Sequence, residues 1–250
     1  MKSVGGDDRG APLQRELERY RQGVGERLPR VRETIEESAG RVNRSASEVT
    51  LVAVTKGHPA EAVEAVLEHG LKDLGENRVG GLEERVHQFG RNACRWHMVG
   101  RLQRRKAPRA LAVADLIHSV GSVRLAERLD RVAPADRTGP VPVLLQVNAS
   151  GEEAKAGFSA DTFMEGLERI LELTSLEVRG LMTMAPLTDD EEQLRRCFRR
   201  TRELHEAARA RTNYRGTELS MGMSNDYGIA VEEGSTMVRL GTALLGERPE

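Results

Sequence analysis

The sequence predicts a closed α/β barrel of the TIM type, with eight parallel strands and an extra helix before the first strand. The first observation is the alternation of eight short apolar or β-branched runs with segments of helical periodicity. That order is typical of a parallel sheet covered by helices, and eight strands close such a sheet into a barrel. The second observation is that no linker composition interrupts the order. A single barrel domain over 13–250 is therefore expected, with a doubly wound open sheet as the alternative.

Each element is predicted from its spacing and its boundary residues. The first helix covers 13–43, where apolar residues recur at helical spacing. The predicted strands lie at 51–56, 73–77, 95–100, 116–121, 142–150, 178–185, 218–224 and 237–246. The helices between them lie at 59–69, 78–89, 102–113, 122–133, 161–173, 189–211 and 226–233. Pro59 in a first turn, Gly70 after a last turn, and the carboxylates of Asp189 and Asp190 at a helix start support these boundaries.

Composition argues against several classes of function. The formal charge is -1 and the isoelectric point is near 6.6, so no general attraction to nucleic acid or to an anionic membrane is expected. Cys94 and Cys197 stand apart and the histidines lack ligand spacing, so neither a disulfide framework nor a metal site is expected. The polar residues 1–12 predict a disordered tail rather than a signal peptide, and a cytoplasmic location is expected. The arginines of 189–211 alternate with glutamates, which indicates a solvated helix face.

Lys56 is the most informative residue, because it closes the apolar run 51–56 where a barrel strand would end. Burial disfavours an ammonium, so either this lysine has a partner or its pKa falls toward that of a nucleophilic amine that forms Schiff bases. The other lysines stand in polar or basic segments, at positions 2, 72, 106 and 155. A lysine that snorkels to solvent is the alternative.

Glycines and hydroxyl residues cluster after strand seven and within strand eight, near the usual phosphate position of such barrels. Gly222, Ser224, Gly241 and Thr242 combine amides that an anion can approach with hydroxyl donors. The helix at 226–233 would direct its positive end toward the same anion. Turn formation explains any one of these groups taken singly. Two such pairs of glycine and hydroxyl residues on neighbouring strands suit a phosphate, and the buried Lys56 suits a carbonyl group. Together they predict a phosphorylated carbonyl compound as the ligand.

Alternation places Arg239 on the same face as Gly241, and that face is the inner face of the barrel if Gly241 touches the ligand. A buried guanidinium needs an acceptor. That acceptor is either a structural carboxylate such as Glu76, or a ring nitrogen or acid group of the ligand. His97 and His118 stand at other strand ends, where a hydrogen-bonded structural role is favoured over a catalytic one.

Seven motifs resemble one known family across 51–248. They are LVAVTK, DLGENRV, WHMVGRLQRRK, IHSVG, QVNASGEEAKAGF, RGLMTMAP and LSMGMSNDYGIAVEEGSTMVRLGTALLGER. Together they resemble the pyridoxal-phosphate homeostasis protein family, whose fold is similar to the N-terminal barrel domain of alanine racemase. The chain departs from the family pattern at Arg104 and Arg105 and at Gly57, which follows Lys56, but not at the ring or phosphate positions.

The resemblance implies pyridoxal 5'-phosphate as the cofactor and a role for each matching residue. Lys56 resembles the lysine that forms the internal aldimine, and Asn77 resembles the residue beside the ring hydroxyl. The other cofactor-binding positions are matched by the flanking backbone of Met223, by the phosphate contacts Ser224, Gly241 and Thr242, and by Arg239 at the pyridine nitrogen.

The resemblance favours a cofactor binder over an enzyme. An arginine at the pyridine nitrogen disfavours its protonation, which weakens the ring as an electron sink. Alanine racemases also use a tyrosine from a second domain, which is not expected here. Tyr20 and Tyr214 are expected far from the strand ends, and Tyr227 is expected to be a packing residue.

The expected function is pyridoxal 5'-phosphate homeostasis, in which the chain holds the cofactor and buffers or delivers it. Free amino acids and pyridoxal-phosphate-dependent apoenzymes are its expected partners, and nucleic acid and membranes are not. A low-activity amino-acid racemase and a cofactor-free Schiff-base aldolase are the alternatives. A monomer is expected, although a helical barrel exterior suits a dimer equally well.

Overall fold

Eight parallel strands close into one barrel, in which each strand pairs with its neighbours in chain order and the last pairs with the first. The computed structural model describes residues 10–135, 137–152 and 156–248. The predicted fold class is therefore confirmed, and the open doubly wound sheet is excluded. Most of the predicted disordered tail lies outside the described residues, but residues 10–12 already belong to the first helix.

The elements follow the predicted alternation closely. Strands β1 to β8 are Thr50–Val54, Asp73–Glu76, Arg95–Met98, Leu116–Val120, Val141–Gln146, Leu176–Met182, Glu218–Ser220 and Met237–Leu240. In the described parts of the chain, helices α1 to α9 are Gly10–Arg41, Ala60–Glu68, Val79–Phe89, Ala107–Val113, Val123–Arg131, Ala160–Leu171, Glu191–Arg211, Tyr227–Glu232 and Thr242–Leu245. Short 3-10 turns precede β1 and α4, at Ala46–Glu48 and Arg104–Lys106.

All eight strands end before the predicted residue, and the largest differences are at β5, which ends at Gln146 instead of 150, and at β7 and β8. Strand β7 stops at Ser220 instead of 224, because Gly222 adopts a φ of 94° and turns the chain away from the extended conformation. Strand β8 stops at Leu240 instead of 246, because the carbonyl of Gly241 accepts two amides of the next turn at 2.9 and 2.8 Å. The apolar residues after Gly241 therefore form the helical turn α9 and not a strand.

Helix α1 packs against α2, α8 and α9. Its buried residues recur at helical spacing and are Tyr20, Val24, Leu28, Val31 and Ile35. Because α2 follows β1 while α8 and α9 flank β8, α1 contacts helices on both sides of the junction between the first and last strands. Among the residues that the structure describes, none of the helices is both long enough and apolar enough to cross a bilayer.

The barrel interior is partly apolar and partly polar. Its apolar cluster consists of Val52, Leu116, Leu144, Met182 and Met237. Alternation places His118 on the same side as Leu116, and Arg239 on the same side as Met237. Polar side chains buried on the inner face include His97, His118, Ser220 and Arg239.

Candidate functional site

Lys56 lies two residues beyond the end of β1, where its half-buried side chain borders a cavity of about 770 Å³. Glu76 and Asn77, at the end of β2, line the same cavity. Burial lowers the pKa of the Lys56 ammonium, the nearby charges of Arg248 and Arg239 lower it further, and Glu76 opposes the shift. At a given pH, Lys56 is therefore a neutral amine more often than an exposed lysine is.

Glu76 is buried and is held by groups from its own side of the barrel. Its carboxylate accepts the hydroxyl of Thr55 at 2.7 Å and lies 3.8 Å from Nε of Arg85. Burial raises the pKa of the Glu76 carboxyl, and these partners oppose the shift. The alternative in which Glu76 neutralises Arg239 is wrong, because Arg239 takes its partners from other strands.

Arg239 is buried inside the barrel, as alternation predicted. One terminal nitrogen, Nη1, donates to both the carbonyl and the hydroxyl oxygen of Ser220 at 2.7 Å. The other, Nη2, donates to the carbonyl of Thr183 at 2.9 Å. Burial lowers the pKa of Arg239 to about 10, and Asp226 opposes the shift. A guanidinium carries five N–H groups, so one N–H on Nη2 and the Nε–H remain for a ligand.

The predicted phosphate residues meet where β7 and β8 end. The hydroxyl oxygen of Ser224 accepts the amide of Ala243 at 3.1 Å, which ties the loop after β7 to the first turn of α9. Its own O–H can still donate to an anion. Gly241 and Thr242 lie at the start of the same turn. The amide of Met223 is already used, because it donates to the carboxylate of Asp226 at 2.5 Å.

The predicted site residues fall into two groups on the two sides of β1. Lys56 and Asn77 border the cavity between β1 and β2. The phosphate residues and Arg239 lie on the other side, where β1 pairs with β8 and Val52 stands opposite Arg239. The groups are close, because a Cβ on Gly241 would lie 3.4 Å from the carbonyl oxygen of Val54. An amine, a guanidinium and hydroxyl donors are thus collected at one end of the barrel.

Comparison with known proteins identifies the family. The profile described as alanine racemase, N-terminal domain, matches residues 31–249. A pyridoxal phosphate homeostasis protein of Aquifex aeolicus is 37% identical over 223 residues, which cover 89% of this chain and 97% of that protein. Its counterpart in Escherichia coli K12 is 36% identical, over 90% of this chain and 97% of that protein. The chain belongs to the pyridoxal phosphate homeostasis protein family.

Solved structures agree with this assignment. PipY of Synechococcus elongatus, solved without pyridoxal phosphate, matches with a TM-score of 0.79 and 35% identity, over 89% of this chain and 100% of PipY. PipY with pyridoxal phosphate bound matches with a TM-score of 0.78 and 34% identity, over the same shares of both chains. Alanine racemase of Corynebacterium glutamicum matches with a TM-score of 0.68 at 16% identity, over 91% of this chain and 60% of the racemase. That last likeness shows a shared fold.

This homeostasis-family barrel also contains a row of polar side chains that the sequence did not reveal as a unit. Nε2 of His97 lies 3.0 Å from Asp73, and its Nδ1 lies 2.8 Å from Nε2 of His118. Nδ1 of His118 lies 2.9 Å from the hydroxyl of Ser220, which also accepts from Arg239. The structural role predicted for both histidines accords with their burial. In the described parts of the chain, no group of three His, Cys, Asp or Glu residues is placed to hold a metal.

One tyrosine lies closer to the site than predicted. Tyr20, on α1, hydrogen-bonds through its hydroxyl to Nδ1 of His58 at 2.9 Å, and His58 lines the cavity beside Lys56. Sequence spacing could not reveal this contact, because it joins α1 to the loop after β1. The hydroxyl of Tyr214, which follows α7, lies 3.0 Å from Nδ1 of His205 on that helix.

Proposed function

We propose that this chain binds pyridoxal 5'-phosphate through Lys56 and takes part in the homeostasis of that cofactor. The observation that carries the proposal is the pairing of β1 with β8, which brings Lys56, Arg239 and Gly241 to one end of the barrel. The names of relatives that are 36% and 37% identical, and the PipY structure with the cofactor bound, support the same ligand.

The amine of Lys56 suits covalent capture of an aldehyde. Only its neutral form attacks a carbonyl carbon, and its lowered pKa makes that form more abundant. As the amine adds to the aldehyde carbon, water leaves and a C=N bond joins Nζ to the ligand. Asn77, which lines the same cavity, is proposed to face the ring hydroxyl.

The loops after β7 and β8 suit the phosphate. The free O–H of Ser224, the hydroxyl of the exposed Thr242 and the amide of Gly241 supply donors that strengthen when the acceptor is a dianion. Gly241 is proposed to allow a close approach, since it has no side chain between the backbone and the anion. Met223 is proposed to line this loop by its backbone only.

Arg239 is proposed to donate to the pyridine nitrogen, and this favours a carrier over an enzyme. The cofactor supplies an electron sink for carbanions when its ring nitrogen is protonated. A charged guanidinium opposes a second positive charge next to it in a buried site. Tyr20 offers no second base, because its hydroxyl is bound to His58 and burial raises its pKa. We therefore propose that the chain, as a monomer, holds the cofactor, accepts free amino acids and hands the cofactor to apoenzymes.

The test is an absorption spectrum of the purified protein before and after borohydride. Wild type loaded with pyridoxal 5'-phosphate is expected to show a visible band and to keep a covalent adduct on Lys56 after reduction. Lys56→Ala should lose both, whereas Lys72→Ala, at an exposed position before β2, should keep both. An adduct mapped to Lys106 or Lys155 would contradict the assignment, and a colourless wild type would favour the aldolase.

A further inference from the structure

A line of four hydrogen bonds crosses the barrel interior from β2 to β8. It joins Asp73, His97, His118, Ser220 and Arg239 over distances of 3.0, 2.8, 2.9 and 2.7 Å. Both imidazoles and the serine are buried. Because buried polar atoms without partners are costly, each proton in this line has to be placed between one donor and one acceptor.

The guanidinium fixes the direction of the whole line. Arg239 has no acceptor atom, so the oxygen of Ser220 accepts and its single hydroxyl proton points to Nδ1 of His118. Neutral His118 then carries its proton on Nε2 and donates to Nδ1 of His97. His97 donates from Nε2 to the carboxylate of Asp73.

The opposite direction of donation along this line leaves some of the same atoms without hydrogen-bond partners. If Nδ1 of His118 carried the proton, the Ser220 oxygen would accept twice and its own proton would have no partner in the line. His97 would then present a lone pair to the Asp73 carboxylate, which is also an acceptor. Two unsatisfied contacts inside the barrel would result, and each costs free energy comparable to a lost hydrogen bond.

Burial and nearby positive charges favour the neutral forms of the two histidines in the middle of the line. Burial lowers the pKa of His118 well below its usual value, and His97, Arg239 and Arg95 act in the same direction. Burial also lowers the pKa of His97, although Asp73 opposes the shift. Neutral imidazoles leave the positive charge on the guanidinium and the negative charge on the distant carboxylate.

We propose that Ser220 and His118, oriented by His97 and Asp73, are positioning residues that hold Arg239 against the ring nitrogen of the bound cofactor. The inference rests on the proposed function, because it assigns a role to residues beneath the same site. The line keeps an oxygen lone pair of Ser220 directed at Nη1, while the Thr183 carbonyl holds Nη2. With both terminal nitrogens anchored, the remaining N–H groups keep a fixed direction toward the ligand.

The binding test uses Ser220→Ala, which removes the oriented acceptor, and a cofactor analogue with carbon in place of the ring nitrogen. Loss of one aligned hydrogen bond is expected to weaken pyridoxal 5'-phosphate binding about tenfold but to weaken binding of the analogue by less than about twofold. His118→Leu should show the same contrast. His205→Leu is the matched control, because His205 is also buried and hydrogen-bonded, on α7, away from the barrel interior.

A merely structural role would lower the affinities for both ligands equally, and that result would overturn the proposal. The second measurement needs no variant and no cofactor. Nitrogen-15 NMR of the wild-type imidazoles at neutral pH should show His97 and His118 as neutral Nε2–H tautomers. An Nδ1–H tautomer at either residue would also overturn the proposal. Failure of the wild type to bind the cofactor would contradict the proposed function and leave the tautomer result intact.

Discussion

Replacing Ser224 by alanine should lower both the stability of the fold and the affinity for the phosphate, because the side chain is proposed to serve both. Its oxygen accepts the amide of Ala243 at 3.1 Å. Loss of that hydrogen bond should lower the free energy of unfolding by about 1 kcal/mol, which corresponds to a melting temperature lower by about 2–4 °C. The substitution also removes the O–H that is proposed to donate to the phosphate dianion.

A charge-assisted hydrogen bond contributes about 1.5–3 kcal/mol, so the dissociation constant of pyridoxal 5'-phosphate should rise about 10- to 150-fold. Titration followed by the visible band measures that constant. Pyridoxal without the phosphate lacks the acceptor, so its weaker binding should be the same in the variant and in the wild type.

Ser159→Ala is the matched control. Ser159 also accepts a backbone amide at a helix start, that of Thr162 at 3.2 Å, but it precedes α6. It should lower the melting temperature by a similar amount and leave the dissociation constant unchanged. If Ser224→Ala and Ser159→Ala bound the cofactor equally well, the assignment of Ser224 to the phosphate would be refuted.

Three further predictions concern the cofactor. At a hundred times its dissociation constant, pyridoxal 5'-phosphate should add about 2.7 kcal/mol to stability and raise the melting temperature by about 5–10 °C, and no shift in a thermal melt would contradict binding. Arg248→Gln removes a charge that lowers the pKa of Lys56, which Arg239 also lowers and Glu76 raises. In this variant the pKa of Lys56 should rise, so the pH at which the cofactor attaches at half its maximal rate should increase in stopped-flow measurements. Arg104→Gln, at an exposed position, is the control and should leave that pH unchanged. An unchanged pH dependence in Arg248→Gln would refute the coupling. L-Alanine incubated in deuterated water should gain little deuterium and yield little D-alanine by NMR and chiral chromatography, and rapid conversion would favour the racemase.

The strand pattern was readable from the sequence because alternation and spacing are local properties. The apolar run placed Lys56 near the end of β1, although the strand stops at Val54, and period-two counting placed Arg239 on the face of Gly241. The ends of β7 and β8 were not predictable, because apolar residues continue past both. The positive φ of Gly222 and the turn that starts at Gly241 decide where those strands stop.

Partners across the barrel could not be predicted, because they depend on which strands become neighbours and on their register. Arg239 takes Ser220 and Thr183 as acceptors, whereas Glu76 takes Thr55. Counting along a strand shows only which residues share a face: Arg239 lies on the inner face with Met237, whereas Glu76 lies with Leu74 on the face toward α3. The line of two histidines likewise exists because β3 and β4 pair in one register, and a shift by one residue would turn every side chain to the other face.

The junction between β1 and β8 links the proposed chemistry to the order of folding. Strand β1, which leads to Lys56, pairs there with β8, which carries Arg239, although six other strands lie between the two along the chain. Contacts of such long sequence separation form late, since the entropy of loop closure has to be overcome first. A partly folded chain would contain Lys56 but would lack the assembled phosphate residues of the loops after β7 and β8. Such a chain should not retain pyridoxal 5'-phosphate. During refolding, the visible band should therefore appear together with barrel closure, and its kinetics would report the docking of the last strand.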